Sequence, residues 1–183
     1  FSVFTTSPLV INPATTGYFK NDCWRVVVNH RNQWSSFLTR AIQTSYVSFD
    51  MPITSKKIGV GAVVFNNSAT KGSMSDLTAM ASFSYNVTLN QRAGQYLTFG
   101  AQAGIKQRSF KPADLQFGNQ YVPGSGFDPN ASNGESFAKT SYITPDFNFG
   151  AIWYVKDPWK QFKPWVSIAT HHILEPKKAF DEL

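Results

Sequence analysis

Leu97-Thr98-Phe99-Gly100-Ala101-Gln102-Ala103-Gly104-Ile105-Lys106 decides the fold of this chain. Leu97, Phe99, Ala101, Ala103 and Ile105 fall on one side of an extended backbone, and Thr98, Gly100, Gln102, Gly104 and Lys106 fall on the other. A period of two is that of a strand whose faces meet different surroundings. The same alternation recurs in Ala81–Val87 and in Phe147–Trp153, where the apolar side is wide and aromatic and the other side small or polar. In a fourth window, Ile58–Val64, Gly59 and Gly61 stand where the other windows carry polar groups. Such asymmetry suits an antiparallel transmembrane β-barrel, with lipid outside and water or small side chains inside.

Composition agrees with that reading. Charged residues make up 15% of the 183 and aromatics another 15%, whereas an average soluble domain is roughly 25% charged. The net charge is +6, but the basic residues are scattered and only Lys56-Lys57 and Lys177-Lys178 are adjacent. That is a poor footprint for nucleic acid, so no nucleic-acid partner is expected. The single cysteine, Cys23, rules out an internal disulfide framework, and its place in an expected first strand reads as a packed, inert thiol. The opening Phe1-Ser2-Val3-Phe4 has neither an initiator methionine nor a charged leader, as expected of an exported chain whose signal peptide has been removed.

Seven strands are expected, over residues 20–31, 39–50, 57–66, 76–89, 95–109, 139–155 and 162–174, with no helical periodicity. Their connections alternate in length. Residues 51–56, 90–94 and 156–161 are tight turns; 32–38 is short but polar, 67–75 is a glycine- and serine-containing loop, and 110–138 is a long excursion. Bacterial outer-membrane barrels keep short turns on the periplasmic side and long loops outside, so this parity orients the sheet. Residues 1–183 read as one barrel domain, with an N-terminal periplasmic or lumenal segment over 1–19 and a long outer loop over 110–138. Seven strands cannot close as an even-numbered barrel, and open edges are costly in hydrocarbon. The chain is therefore expected to be the N-terminal half of a larger barrel.

Several residues have assignable roles. Pro13 fixes its own φ and extends Asn12, whose side chain can bond the backbone ahead, while Gly17 permits a positive φ or close packing. Asn12-Pro13-Ala14 is thus a turn, either plain, fastened at the periplasmic rim or tucked into the lumen. On the first strand Arg25, Val27, Asn29 and Arg31 share the lumen side, where the arginines can pair with Asp50 or Asp146. Such pairs would either select solute or simply hold the barrel's shape. Tyr18, Trp34, Tyr46, Trp153, Tyr154, Trp159 and Trp165 fall toward strand ends and fit interfacial girdles, with ordinary core packing as the alternative.

The catalytic inventory is empty. His171 and His172 are adjacent in an expected strand and would point to opposite faces, so they do not form a metal site. Asp114, Asp128 and Glu135 match no calcium loop, and no nucleophile elbow or phosphate loop is present. Neither enzymatic activity nor a cofactor is expected.

Motifs spread along the chain carry a resemblance. They include Asn12-Pro13-Ala14 with Gly17, then Arg25, Arg31-Asn32-Gln33-Trp34, Ser48, Asp50, Gly59 and Gly61. Further on stand Leu97 through Gly104 with Gln107, Leu115 through Gln120, Phe127-Asp128-Pro129, Pro145-Asp146, Gly150 and a histidine followed by Pro176. In these the chain resembles the PorP/SprF family, outer-membrane proteins of the type IX secretion and gliding machinery of Bacteroidetes. The family's acidic, glycine-containing turn after the third strand is here Asn67-Ser68-Ala69-Thr70-Lys71-Gly72-Ser73. The resemblance implies a bacterial outer-membrane location and a non-enzymatic barrel that assists secretion or surface anchoring of a large exported protein, such as a gliding adhesin. Its implied partners are that protein, other secretion or gliding components, and the bilayer. Phe117, Gln120, Tyr121 and Phe127 in the long loop are the expected partner contacts, because apolar side chains in an exposed loop make suitable anchors. A passive porin or small-molecule carrier is the alternative.

Overall fold

The computed structural model describes residues 6–19, 23–34, 42–53, 57–69, 73–112, 115, 117–122, 124, 126–128, 130–132, 134, 140–156 and 162–174. The chain forms β1 (Arg25–Gln33), β2 (Ile42–Ile53), β3 (Ile58–Ala69), β4 (Met74–Asn90), β5 (Gln95–Phe110), β6 (Tyr121–Val122), β7 (Gly126–Phe127), β8 (Ser141–Val155) and β9 (Trp165–Thr170). Seven of these make one antiparallel sheet in the order β1-β2-β3-β4-β5-β8-β9, and β6 and β7 form a separate hairpin. The sheet is a partial barrel. β4, β5 and β8 have 17, 16 and 15 residues, more than the roughly 9–11 that a tilted strand needs to cross hydrocarbon. Among the described residues no helix is long and apolar enough to cross a membrane.

The alternating sequence sorts the side chains as the periodicity predicts. Val28, Val47, Phe83, Phe99, Ile105, Ile143 and Phe149 are exposed on the convex side, where an apolar band meets lipid in a membrane barrel. Their neighbours Ser48, Asp50, Ser82, Ser84, Thr98, Gln102 and Asn148 are buried on the concave side.

What buries them is the N-terminal segment. Ser-Pro at 7–8 starts a one-turn helix, α1 (Pro8–Ile11), with proline at a position whose missing N–H costs nothing. Asn12 is extended, as the following proline requires, and Pro13–Thr15 make a 3-10 turn. Leu9 is fully buried with Tyr46, Val63 and Met80 beneath α1, and Ala14 with Ile152 and Tyr154 beneath the 3-10 turn. One short segment therefore touches β1 at one sheet edge and β9 at the other, which it can do only if the sheet curls around it.

Some boundaries and placements differ from expectation. β1 begins at Arg25, so Cys23 precedes the strand and is exposed rather than packed. β9 stops at Thr170, and His171 and His172 lie beyond it, with His172 at φ +55°. The long loop contains the β6–β7 hairpin, which no alternating run announces because each strand has two residues. Tyr46 and Tyr154 are buried on the concave side and Tyr18 packs against Tyr154, so these three form no girdle. Trp34 and Trp165 are exposed near strand ends, and Trp159 lies outside the described residues.

Candidate functional site

The concave face is organised in rows that only the strand register reveals. Pairing places Gly59 opposite Ser84, Ser84 opposite Gly100, Gly100 opposite Gly150, and Gly150 opposite Ala169. This row of small residues crosses β3, β4, β5, β8 and β9. Residues 12–17 lie along it, running across the strands. A Cβ built on Gly100 would strike the backbone of Pro13 and Ala14, one on Gly150 would strike Asn12 Oδ1, and one on Gly59 would strike Thr16 O. Glycine is used here so that one backbone can approach another.

Polar groups fix the segment in that groove. Asn12 Oδ1 accepts from Ala14 N–H (2.8 Å), while its Nδ2 donates to the carbonyls of Ala151 (3.3 Å) and Ile168 (3.1 Å) on neighbouring strands. Asn12 thus caps its own turn and ties it to β8 and β9, as a buried amide with full hydrogen-bond use should. Thr16 hydrogen-bonds Ser82 through its hydroxyl, and its carbonyl accepts from Ser84 Oγ at 2.7 Å. Gln102 Nε2 donates to Leu9 O at 2.8 Å, and Asn29 Nδ2 donates to Thr6 O and Ser7 Oγ.

Asp50 is the charged latch. Its side chain is fully buried, and it accepts from Arg25 Nε (2.9 Å), Arg25 Nη2 (2.7 Å) and the Gly17 N–H (2.7 Å). Gly17 has φ +65°, the left-handed region that glycine enters without penalty. Arg25 Nη2 also reaches Thr15 O, so one ion pair clamps the exit of the segment between β1 and β2. The two-pronged geometry and the third donor are what make a buried carboxylate tolerable.

A second polar chain runs across β5 and β8. Gln102 Oε1 accepts from Asn148 Nδ2, Asn148 Oδ1 accepts from the His172 N–H, and His172 Nδ1 lies 2.7 Å from Asp146 Oδ2. His171 Nε2 donates to Ile11 O at 3.1 Å. Leaving the strand lets both histidines reach the concave side instead of opposite faces. They take separate partners, and among the described residues no cluster of histidine, cysteine and carboxylate groups has the makings of a metal site.

Asn12, Pro13, Ala14, Gly17 and Asp50 therefore meet in one place, and Asp146 joins the adjacent chain. Arg31 does not pair with either aspartate, because Arg25 takes Asp50 and His172 takes Asp146; Arg31 lies beside Gln33 of its own strand. Asn32 and Trp34 are exposed at the far end of β1, away from the segment. In the long loop, Tyr121 and Phe127 pair in the β6–β7 hairpin and are exposed, and Phe117 precedes it, half-buried. Gln120 turns inward: its Nε2 donates to Ala131 O, and its Oε1 accepts from Phe117 N–H. Ser82, Ser84, Gly100 and Gln102 as partners of the N-terminal segment, and Asn148 as a link from Gln102 to His172, are not evident from any sequence motif. Their signal was there as small or polar residues on the lumen parity of three strands.

Below the segment, toward the short-turn end of the sheet, the tyrosines stack. Tyr18 meets Tyr154 edge-on at 4.8 Å, Tyr96 stacks on Tyr154 at 5.4 Å, and Asn86 Nδ2 donates to the Tyr154 hydroxyl at 2.8 Å. Burial first, and then the neighbouring Tyr154, raise the Tyr18 hydroxyl above its ordinary range, so it stays protonated.

No curated protein and no solved structure matches the chain at a significant level. The profile of the family described as type IX secretion system membrane protein PorP/SprF matches residues 1–183. With its predominantly antiparallel β architecture and segment-filled concave face, the chain belongs to the PorP/SprF family of type IX secretion system membrane proteins.

Proposed function

We propose that this protein is a non-enzymatic outer-membrane barrel that holds or helps to export a large surface protein, such as a gliding adhesin, and does not serve as a solute channel. The observation that carries this reading is the seating of residues 6–18 across the concave face. Ser7, Leu9, Asn12, Ala14 and Thr16 are each no more than 2% exposed, so the space a porin keeps for water is filled here by chain. A plugged barrel suits an anchor, which needs a rigid frame and an outward surface but no conductance. In this reading residues 1–183 act as one unit, with the short turns facing the periplasm and the long loop facing outward.

The outward surface is the loop between β5 and β8. Tyr121 and Phe127 present exposed rings on a hairpin, which is the composition of an anchor patch. Phe117 and Gln120 support it, with Gln120 ordering the loop from within. Deleting residues 118–134 in the full-length protein is expected to release the surface adhesin while leaving barrel insertion intact. Unchanged adhesin retention would remove the loop from the mechanism. Reconstituted full-length protein is expected to be electrically silent; steady solute flux would favour the porin reading.

A further inference from the structure

We propose that the short-turn end of the lumen is a receptor for an acidic peptide segment of a periplasmic protein. Between the exit of the N-terminal segment and the ends of β3, β5 and β8 lies a cavity of about 570 Å³, with Tyr18, Asn86 and Tyr154 on its wall and Lys57, Lys156 and Lys163 around it. Among the described residues no carboxylate lines it. A site with aromatic walls, an amide and three lysines in its lining fits an extended peptide whose backbone packs on the rings and whose carboxylates meet the ammonium groups.

The surrounding charge argues for the same class of ligand. Among the described residues, the connections at the short-turn end hold Lys57, Arg92, Lys156 and Lys163 and no carboxylate. The described residues of the connections at the opposite end hold Lys111 and Asp128, one charge of each sign. Positive charge is thus concentrated at one end of the sheet, where it raises the local concentration of an anionic partner and speeds its arrival. Ser84, Thr98 and Tyr154, which line the cavity, face the inside of the curl rather than the lipid side, which favours a peptide over a lipid headgroup.

The proposal rests on the outer-membrane orientation given above, so location is measured separately by fractionation and by protease access to the long loop. Full-length protein in detergent is titrated with a fluorescent peptide containing four glutamates and one tryptophan, with its glutamine counterpart, and with phosphatidylglycerol vesicles. The glutamate peptide is expected to bind, the glutamine peptide to bind at least about tenfold more weakly, and the K57Q/K156Q/K163Q variant to lose about tenfold in affinity. Equal binding of both peptides, or of wild type and variant, overturns the proposal. Lysine-dependent vesicle binding without peptide binding also overturns it, by assigning the charge to lipid. If the wild type binds no peptide and the triple variant unfolds more easily, the lysines are neutralised within the barrel and the proposal fails. A correct location with no peptide binding defeats this inference alone, whereas a wrong location defeats the reading on which it rests.

Discussion

The N-terminal segment and the long loop are both excursions without long strands, yet they are ordered in opposite ways. Residues 6–18 bond to β1, β2, β4, β5, β8 and β9 and bury their side chains in the sheet. The described residues of the loop bond mainly to one another, through Gln120 to Ala131 and Phe117, Asp128 to Gln120, and the short β6–β7 pair. Irregular chain fixed by a scaffold behaves as core, whereas irregular chain fixed by its own contacts leaves side chains free for a partner. Stability should accordingly depend on the first region, and adhesin retention on the second.

The largest expected effect is at the latch. Asp50→Ala strands Arg25 and the Gly17 N–H and should cost about 3 kcal/mol, read as a lower urea midpoint for full-length protein in lipid vesicles. Gly100→Val comes next. Its side chain meets the Pro13–Ala14 backbone, which cannot move aside, and such overpacking costs about 1–3 kcal/mol. Residues 6–18 should then become protease-sensitive while the strands stay protected. Asn12→Ala should cost about 1–2 kcal/mol, since it removes a turn cap and two donated bonds. The smallest change in stability, within about 0.5 kcal/mol, is expected for Tyr121→Ala with Phe127→Ala, yet this variant should release the most adhesin. If the loop pair destabilised the barrel as much as Asn12→Ala does, the contrast between the two regions would collapse.

Much of the sheet could be read from the sequence because a period of two assigns every residue of a strand to a face. Arg25, Asn29, Asp50, Ser82, Gln102 and Asn148 all fall on the lumen side for that reason. The period does not say which residues of different strands share a level, so the row from Gly59 to Ala169 and the groove it makes stayed hidden until the register was known. Asn12-Pro13-Ala14 was legible as a turn, but the carbonyls that receive Asn12 are main-chain groups and leave no mark in the sequence. Tyr46 and Tyr154 lie toward strand ends, where girdle aromatics are expected, but parity decides their face: Tyr46 shares it with Ser48 and Asp50, and Tyr154 with Gly150 and Ile152. His171 and His172 escape the strand's alternation because the strand ends at Thr170, and nothing local in the sequence stops it there.

The bonds of Asn12 also impose an order on assembly. Its amide reaches carbonyls 139 and 156 residues further along the chain, so it cannot be satisfied until β8 and β9 are paired. The stretch seated most deeply is therefore among the last to settle, and closing such distant contacts is slow. Burial of residues 12–17 would then report that the sheet has formed through its final described strand, which makes the segment a built-in indicator of completed folding.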